Sequence, residues 1–203
     1  MFINYISAYT SGVISSSSVI KIKLAKSAEN VKAGDEAKAD LFSFEPDIEG
    51  SASWEDNRTV VFHPEKPLTN GTHYFATFAV SEVLEKSDVE DFKFTFKAIP
   101  QNFDIEVTGI SIYDSKDLSQ VKLTGVLQTA DEITNNAAEQ LVSANQSTNK
   151  LALSWDHNTT GNKHTFTIEK VKRTKSEGEV TIEWDGSPID VDKKGKLQYS
   201  IPS

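Results

Sequence analysis

Four histidines are the side chains of this sequence best suited to bind a metal ion, because neutral imidazole is the commonest metal ligand in proteins. They are His63, His73, His157 and His164. Two lie in each half of the chain. His157 and His164 flank one predicted hairpin and are expected to face each other, but no third ligand follows at a recognisable spacing. The sequence therefore favours packing or surface histidines and predicts no metal site.

A second candidate for cation binding is the acidic segment near the C-terminus. Asp190 and Asp192 have the Asp-x-Asp spacing that brings two carboxylates to one calcium ion, and Asp185 followed by Gly186 precedes them. Lysines occupy the next two positions, where further oxygen ligands would be needed, and the closing glutamate of a calcium loop is absent. A solvated hairpin turn is the better interpretation.

Paired carboxylates at 55–56 and 90–91 are the strongest candidates for acid–base catalysis. Each pair is adjacent in sequence, so on a strand its two side chains would point to opposite faces and could not share a substrate. The sequence also contains no nucleophile elbow, P-loop or dinucleotide fingerprint. We therefore predict that the chain is not an enzyme, has no catalytic residue and binds no cofactor.

Three tryptophans, Trp54, Trp155 and Trp184, could form a flat platform on which sugars stack. Each one occupies an alternating position with aliphatic neighbours, which is typical of the interior of a β-sandwich. The sequence therefore favours core packing of these side chains over a glycan-binding row.

The composition and charge of the chain exclude several kinds of partner. The formal net charge is −9 and the lysines and arginines are scattered, so we exclude nucleic acid as the main partner. No apolar run is long enough to span a bilayer, and we expect no membrane insertion by this fragment. The chain has no cysteine, which excludes disulfides and cysteine-ligated metals.

The two ends of the sequence indicate a piece of a longer polypeptide. No basic segment, long apolar segment or cleavage site follows Met1, so a signal sequence is absent from this chain. The last residues, LQYSIPS, stop on a strand-like run, and we expect the native polypeptide to continue beyond Ser203.

Alternating apolar residues predict six or seven strands in the first half. Ile20, Ile22 and Leu24 alternate with lysines, and three phenylalanines alternate with polar residues over 92–97. Residues 51–54 and 59–62 flank a turn and indicate a hairpin. Antiparallel strands at this spacing predict an immunoglobulin-like β-sandwich over residues 1–99, followed by a linker at 99–102.

The second half, residues 100–203, is predicted to be a second β-sandwich that contains one helix. Thr129 and Glu132 match a capping box, and apolar residues at helical spacing continue from it, so a helix of about four turns is predicted near 131–145. Strands are predicted on both sides, with a turn at 175–178. The two halves show no sequence repeat and are interpreted as different modules in series.

Several segments together resemble the N-terminal region of bacterial alpha-2-macroglobulin family proteins, especially the Bacteroidetes type. The resemblance covers essentially the whole chain and depends on the character and order of the segments. They are WEDNRTVVFHPEKPLTNGTHYFATF, FKFTFKAIPQNF, LTGVLQTADEITNNAAEQL and VTIEWDGSPIDVDKKGK. The resemblance implies an immunoglobulin-like domain followed by a macroglobulin-like domain.

Members of that family are endopeptidase inhibitors that trap proteases after cleavage of a bait region, and many carry a Cys–Gln thioester. A chain without cysteine holds no thioester, so any such group would lie downstream, and no functional residue is carried over. The resemblance implies a scaffold fragment in the periplasm or cell envelope, with the lipid anchoring of the parent left open. Its implied partners are later domains of the same polypeptide and, through the full-length protein, proteases.

Two other classes remain open at this point. A stand-alone cell-surface adhesin or glycan-binding module is also built from tandem sandwiches, and an exposed tryptophan row would favour it. A two-sandwich periplasmic chaperone is disfavoured by the predicted helix and by the absence of an evident pair of basic cleft residues.

Overall fold

A computed structural model of the chain describes residues 5–84, 89–174 and 178–203. The chain divides into Met1–Pro100, called unit 1, and Gln101–Ser203, called unit 2. This division falls inside the segment predicted as a linker. Most of the turn predicted at 175–178 lies outside the described residues. Within those residues, no helix has the length and apolar character needed to cross a membrane.

Unit 1 contains two four-stranded sheets in its described residues. One sheet has the strand order β1-β3-β6-β5 and the other has the order β2-β8-β7-β4. The elements are β1 (Ile6–Tyr9), β2 (Gly12–Ile14), β3 (Ile20–Leu24), β4 (Phe42–Glu45), β5 (Gly50–Trp54), β6 (Thr59–Pro64), β7 (His73–Phe78), α1 (Val80–Leu84) and β8 (Phe92–Ala98).

The strand order of unit 1 is that of an immunoglobulin domain. If β1, β3, β4, β5, β6, β7 and β8 are read as strands A to G, one sheet is A-B-E-D and the other contains C, F and G. The remaining strand, β2, pairs with β8 in parallel. The predicted immunoglobulin-like sandwich is therefore confirmed for this unit.

The core of unit 1 lies between its two sheets. Ile20, Ile22 and Leu24 are buried on β3, while the lysines between them face outward. Phe94 and Phe96 of the opposite sheet belong to the same buried cluster. The period of two in the sequence thus marks the inward face of each strand, as expected for a half-buried sheet.

Unit 2 also contains two four-stranded sheets in its described residues. Their orders are β13-β14-β10-β9 and β12-β11-β15-β16. The elements are β9 (Phe103–Asp114), β10 (Asp117–Thr129), α2 (Asn135–Leu141), β11 (Val142–Gln146), β12 (Asn149–Lys150), β13 (Leu153–His157), β14 (Lys163–Lys172), β15 (Gly178–Asp185) and β16 (Lys194–Ile201).

The two units share one strand order, although their sequences show no repeat. With β9, β10, β13 and β14 as strands A, B, D and E, the first sheet of unit 2 is again A-B-E-D. The second sheet joins β11, β15 and β16 in the order C-F-G, with the short β12 at its edge. The predicted tandem of two antiparallel β-sandwiches is therefore confirmed, and the two units share a strand order that is built from dissimilar strands.

The predicted helix near 131–145 is shorter than expected. It spans Asn135–Leu141, and its N-cap is Thr134, whose side chain accepts a hydrogen bond from the Ala137 amide at 3.2 Å. The Thr129 hydroxyl, predicted to start the helix, instead donates to the Asp131 carbonyl at 2.7 Å. The helix ends early because Val142 opens a strand that pairs with β15.

Candidate functional site

The β13–β14 hairpin brings His157 and His164 together, as predicted. The two residues are directly opposite in register. Their Nδ1 atoms lie 2.7 Å apart, and the His164 side chain is fully buried. The turn is fixed by the Asn158 side-chain oxygen, which accepts from the amide of Lys163 at 3.1 Å. Local turn chemistry therefore sets the geometry of the histidine pair.

A third polar side chain, Glu139 on α2, completes the cluster. Its Oε1 atom lies 3.2 Å from His157 Nε2, so the three side chains form a chain of contacts from the surface to the interior. Trp155 stacks on the His157 ring with an interplanar angle of 5°. Sequence reasoning missed Glu139, because its approach to His157 depends on how α2 packs in the folded unit.

The cluster is built to hold a proton between two imidazoles. Two bare lone pairs would repel at 2.7 Å, so one Nδ1 atom must carry a hydrogen. If His164 supplies it, His157 accepts at Nδ1 and can donate from Nε2 to Glu139, so both imidazoles are neutral. The buried Nε2 atom of His164 has no hydrogen-bond partner in either arrangement. If His157 supplies it while also donating to Glu139, His157 is a cation. In either state both ring nitrogens of His157 have a hydrogen-bond partner. The second state also gives the Glu139 carboxylate a charged partner.

Burial lowers the pKa of His164 below its ordinary value of 6.5, and the charge of His157 lowers it further. The Gly161 carbonyl opposes these two effects. The folded unit therefore resists protonation of His164 more strongly than the unfolded chain does.

Acidification below pH 6.5 is expected to destabilise unit 2 through His164. A depressed pKa in the folded state gives stability that is present above the unfolded value and is lost as the pH falls, since the unfolded chain then binds more protons. Urea unfolding between pH 7.5 and 5 measures this slope. The variant His164→Leu is expected to flatten it, whereas His73→Leu, a histidine of unit 1, is expected to leave it unchanged. An unchanged slope in His164→Leu would contradict the assignment.

Three clefts on the surface of the described residues are lined by side chains outside the histidine cluster. A cleft of about 450 Å³ lies beside Tyr9, Lys21 and Glu55 of unit 1. Clefts of about 490 Å³ and 280 Å³ lie beside Lys172 and Leu68, respectively.

The other two histidines lie apart from this cluster. His63 on β6 is exposed, with Nε2 at 3.2 Å from the Ser53 hydroxyl. His73 on β7 stacks on Phe75, with ring centroids 5.0 Å apart. Among the residues that the structure describes, no group of three or more histidine and acidic side chains is placed to hold a metal ion.

The acidic segment near the C-terminus forms a turn held by Asp185. One carboxylate oxygen accepts hydrogen bonds from the Ser187 amide at 2.9 Å and from its hydroxyl at 2.5 Å. The other oxygen lies 2.8 Å from Lys194 Nζ. Lys194, one of the two lysines at positions where a calcium loop would need oxygen ligands, is thus the ion-pair partner of Asp185.

The bond from Lys194 is the largest cause that lowers the pKa of Asp185 to about 2, followed by the bonds from Ser187. An NMR titration of the carboxyl is expected to show this value, and Lys194→Met is expected to raise it towards 3.8. The stability that the carboxylate adds is complete above 3.8 and is lost as the pH falls through about 2. A midpoint unchanged in Lys194→Met would contradict the pairing. Lys150→Met, on the opposite edge of the sheet, is the matched control.

The two pairs of carboxylates at 55–56 and 90–91 stabilise a turn, form an ion pair or face solvent. Asp56 accepts from the Arg58 amide at 2.6 Å, and this bond is the main cause that lowers the pKa of Asp56. Glu55 lies 2.9 Å from Lys21 Nζ. Glu90 and Asp91 are exposed residues just before β8.

The tryptophans contribute to the two cores, as predicted. Trp54 is 5% exposed and belongs to the core of unit 1. Trp155 and Trp184 are partly buried and pack against the core of unit 2. The three side chains therefore do not form an exposed row on the described surface.

Comparison with family models gives no match, and no curated protein matches the sequence. Among solved structures, the chain is similar to a chimeric titin Z1Z2 functionalized with a KLER exogenous peptide from decorin. The identity is 9%, the match covers 97% of this chain and 95% of that chain, and the TM-score is 0.37. A second match is an L,D-transpeptidase from Mycobacterium tuberculosis H37Rv, with 11% identity, coverage of 87% and 74%, and a TM-score of 0.36.

Other matches are longer than this chain. For L,D-transpeptidase 3 from Mycobacterium tuberculosis with a faropenem-derived adduct, the match covers 39% of that chain, at 11% identity and a TM-score of 0.34. For the N-terminal eight Ig domains of Down Syndrome Cell Adhesion Molecule it covers 27%, at 9% identity and a TM-score of 0.29. Scores this low carry no argument about function. The strand order alone assigns the fold: two sandwiches with the immunoglobulin order of strands.

Proposed function

We propose that this chain is a non-catalytic scaffold fragment of a large envelope protein that traps proteases, of the alpha-2-macroglobulin type. The observation that carries the proposal is that side chains able to do chemistry are engaged in holding the two sandwiches. Asp185 fixes a turn, His164 is buried in a hairpin, and Asp56 fixes another turn. Such engagement supports a structural role over a catalytic one.

The two sandwiches support this role by their construction. Each unit has its own buried cluster, drawn from both of its sheets, so each is a self-supporting module. Modules in series can space later domains from the membrane, pack against them or contribute to a cage around a protease. In the proposed parent, cleavage of a bait region elsewhere in the polypeptide would supply the trapping event.

The second candidate, an adhesin or glycan-binding module, depends on exposed aromatic side chains. The burial of Trp54 and the packing of Trp155 and Trp184 against a core disfavour a stacking platform built from these residues. Screening the chain against a glycan array distinguishes the two candidates. Binding that is lost in Trp155→Ala, while the fold is retained, would favour the glycan-binding module.

The native reading frame gives the first test of the scaffold proposal. We expect the gene to encode a protein several times longer than the 203 residues of this chain. Further macroglobulin-like domains are expected downstream. A frame that closes near Ser203 would overturn the proposal, since the chain would then have no bait region and no cage to join.

A further inference from the structure

The last strand of unit 2, β16, is an open edge. Among the described residues it pairs with β15 alone, in an unbroken antiparallel register from Asp185↔Lys194 to Gly178↔Ile201. An edge strand offers a row of backbone N–H and C=O groups to any strand of matching length. Natural edges are commonly blunted by bulges, and the β15–β16 register contains none.

The corresponding strand of unit 1 is covered. There β8, the last strand in the same order, pairs with β2 through Gly12↔Phe96 and Ile14↔Ala98. Unit 2 has no equivalent of β2 among its described residues, because all of β9 stays in the other sheet, paired with β10. The same position in one fold is therefore filled in unit 1 and open in unit 2.

Two apolar side chains lie beside this open edge. Leu197 and Tyr199 lie opposite Ile182 and Val180, both of which are fully buried, so they belong to the inward face of β16. Leu197 is nevertheless 39% exposed, and Tyr199 is only partly buried. The edge thus leaves apolar surface without cover, which a further strand would bury.

We propose that β16 is a dimerisation edge that pairs antiparallel with β16 of a second copy of this chain. Alternation of side chains restricts the register, since a shift by one residue would turn the inward side chains outward. Pairing about Gln198 joins residues 195–201 of both copies. It places Leu197 of each copy opposite Tyr199 of the other and continues both inward faces across the joint.

The charges of the strand fit this register. In this register Lys196 lies opposite Ser200 of the second copy. Within each copy, Ser200 is paired with Glu179 on β15. No lysine meets a lysine, so the repulsion that protects many edges is absent here. Lys194, the other cation of the strand, is held by Asp185 at 2.8 Å. A two-fold axis through Gln198 repeats each contact, which makes the edge self-complementary.

Cysteine cross-linking tests the register directly, because the chain has no cysteine of its own. In Gln198→Cys, two introduced thiols would face each other across the axis at the separation of opposed strand residues, about 4.5–5.5 Å between Cβ atoms. Mild oxidation is expected to give a covalent dimer. The control, Lys150→Cys, lies on β12, at the opposite edge of the same sheet. Cross-linking no faster in Gln198→Cys than in Lys150→Cys would overturn the proposal.

Sedimentation equilibrium of the unmodified chain provides the second readout. We expect a reversible monomer–dimer equilibrium, and we expect Leu197→Lys to weaken it by about tenfold or more, since it puts a charge into the joint. Leu118→Lys, at a side chain that is 57% exposed on β10, is expected to leave dimerisation unchanged. A far-UV circular dichroism spectrum like that of the unmodified chain shows that Leu197→Lys still folds, since the melting temperature itself depends on dimerisation. A chain that stays monomeric at high concentration, or equal dimerisation in both variants, would overturn the proposal.

Discussion

Replacing Trp54 with alanine will lower the free energy of unfolding of unit 1 by about 3–5 kcal/mol, the usual cost of removing a large aromatic side chain from a core. Trp54 is 5% exposed and lies opposite Val60 on the inward face of the β5–β6 hairpin. Both residues belong to the single buried cluster between the two sheets. The loss combines the apolar area returned to water with the cavity that the sheets cannot close.

Denaturant unfolding followed by circular dichroism measures this loss, with the transition of unit 2 as an internal reference. The matched control is Phe75→Ala, which removes an aromatic ring that is 57% exposed on β7. We expect that control to change the stability by less than about 1 kcal/mol. Equal effects of the two substitutions would place Trp54 at the surface and contradict the fold of unit 1.

The second large effect is expected at Phe166, a fully buried side chain in the core of unit 2. Phe166→Ala is expected to cost about 3–5 kcal/mol. The ring lies directly opposite Gly125 on β10, where an added Cβ would come within 2.7 Å of Phe166 Cε2. It also packs against Trp155, with centroids 5.4 Å apart. Glycine is therefore required at 125 because the phenyl ring occupies the space above it.

This pairing predicts strong coupling between the two positions. Gly125→Ala alone is expected to cost about 1–3 kcal/mol through overpacking against the ring. In the Phe166→Ala background the same substitution is expected to cost much less, since the ring is gone, although the Glu106 carbonyl at 2.8 Å keeps some crowding. Purely additive free energies of unfolding in this double-mutant cycle would contradict the contact.

Strands were predictable from the sequence where apolar residues alternate, because that period has a direct physical meaning. Phe92, Phe94 and Phe96 are buried in alternation with exposed neighbours, as their spacing indicates. The start of α2 was not predictable in the same way. Thr129 and Thr134 are both good capping residues, and only the hydrogen bonds of the folded unit show that Thr134 caps the helix.

The shared strand order of the two units could not be deduced from either half. Alternation shows which residues face inward, but it does not show which strands lie side by side. For example, β3 pairs with β6 and β10 pairs with β14, each across a long stretch of chain. Long-range pairing depends on the packing of whole sheets, so dissimilar sequences can reach one topology.

The contacts of the histidine cluster also include one that was predictable from the sequence and one that was not. The approach of His157 to His164 followed from one hairpin, because opposed positions on either side of a short turn face each other. The contact of His157 with Glu139 joins a strand to a separate helix, and it becomes evident only in the folded unit. Local contacts were therefore predictable, whereas tertiary ones were not.

The scaffold role proposed for this chain within a protease trap is tested most directly by a trapping assay on the proposed full-length parent protein. The parent is mixed with an endopeptidase such as trypsin, and cleavage of a large protein substrate is compared with cleavage of a small chromogenic peptide. We predict that the large substrate is protected while the small peptide is still cleaved. The 203-residue chain alone is expected to affect neither. Equal cleavage of both substrates in the presence of the parent would contradict the account.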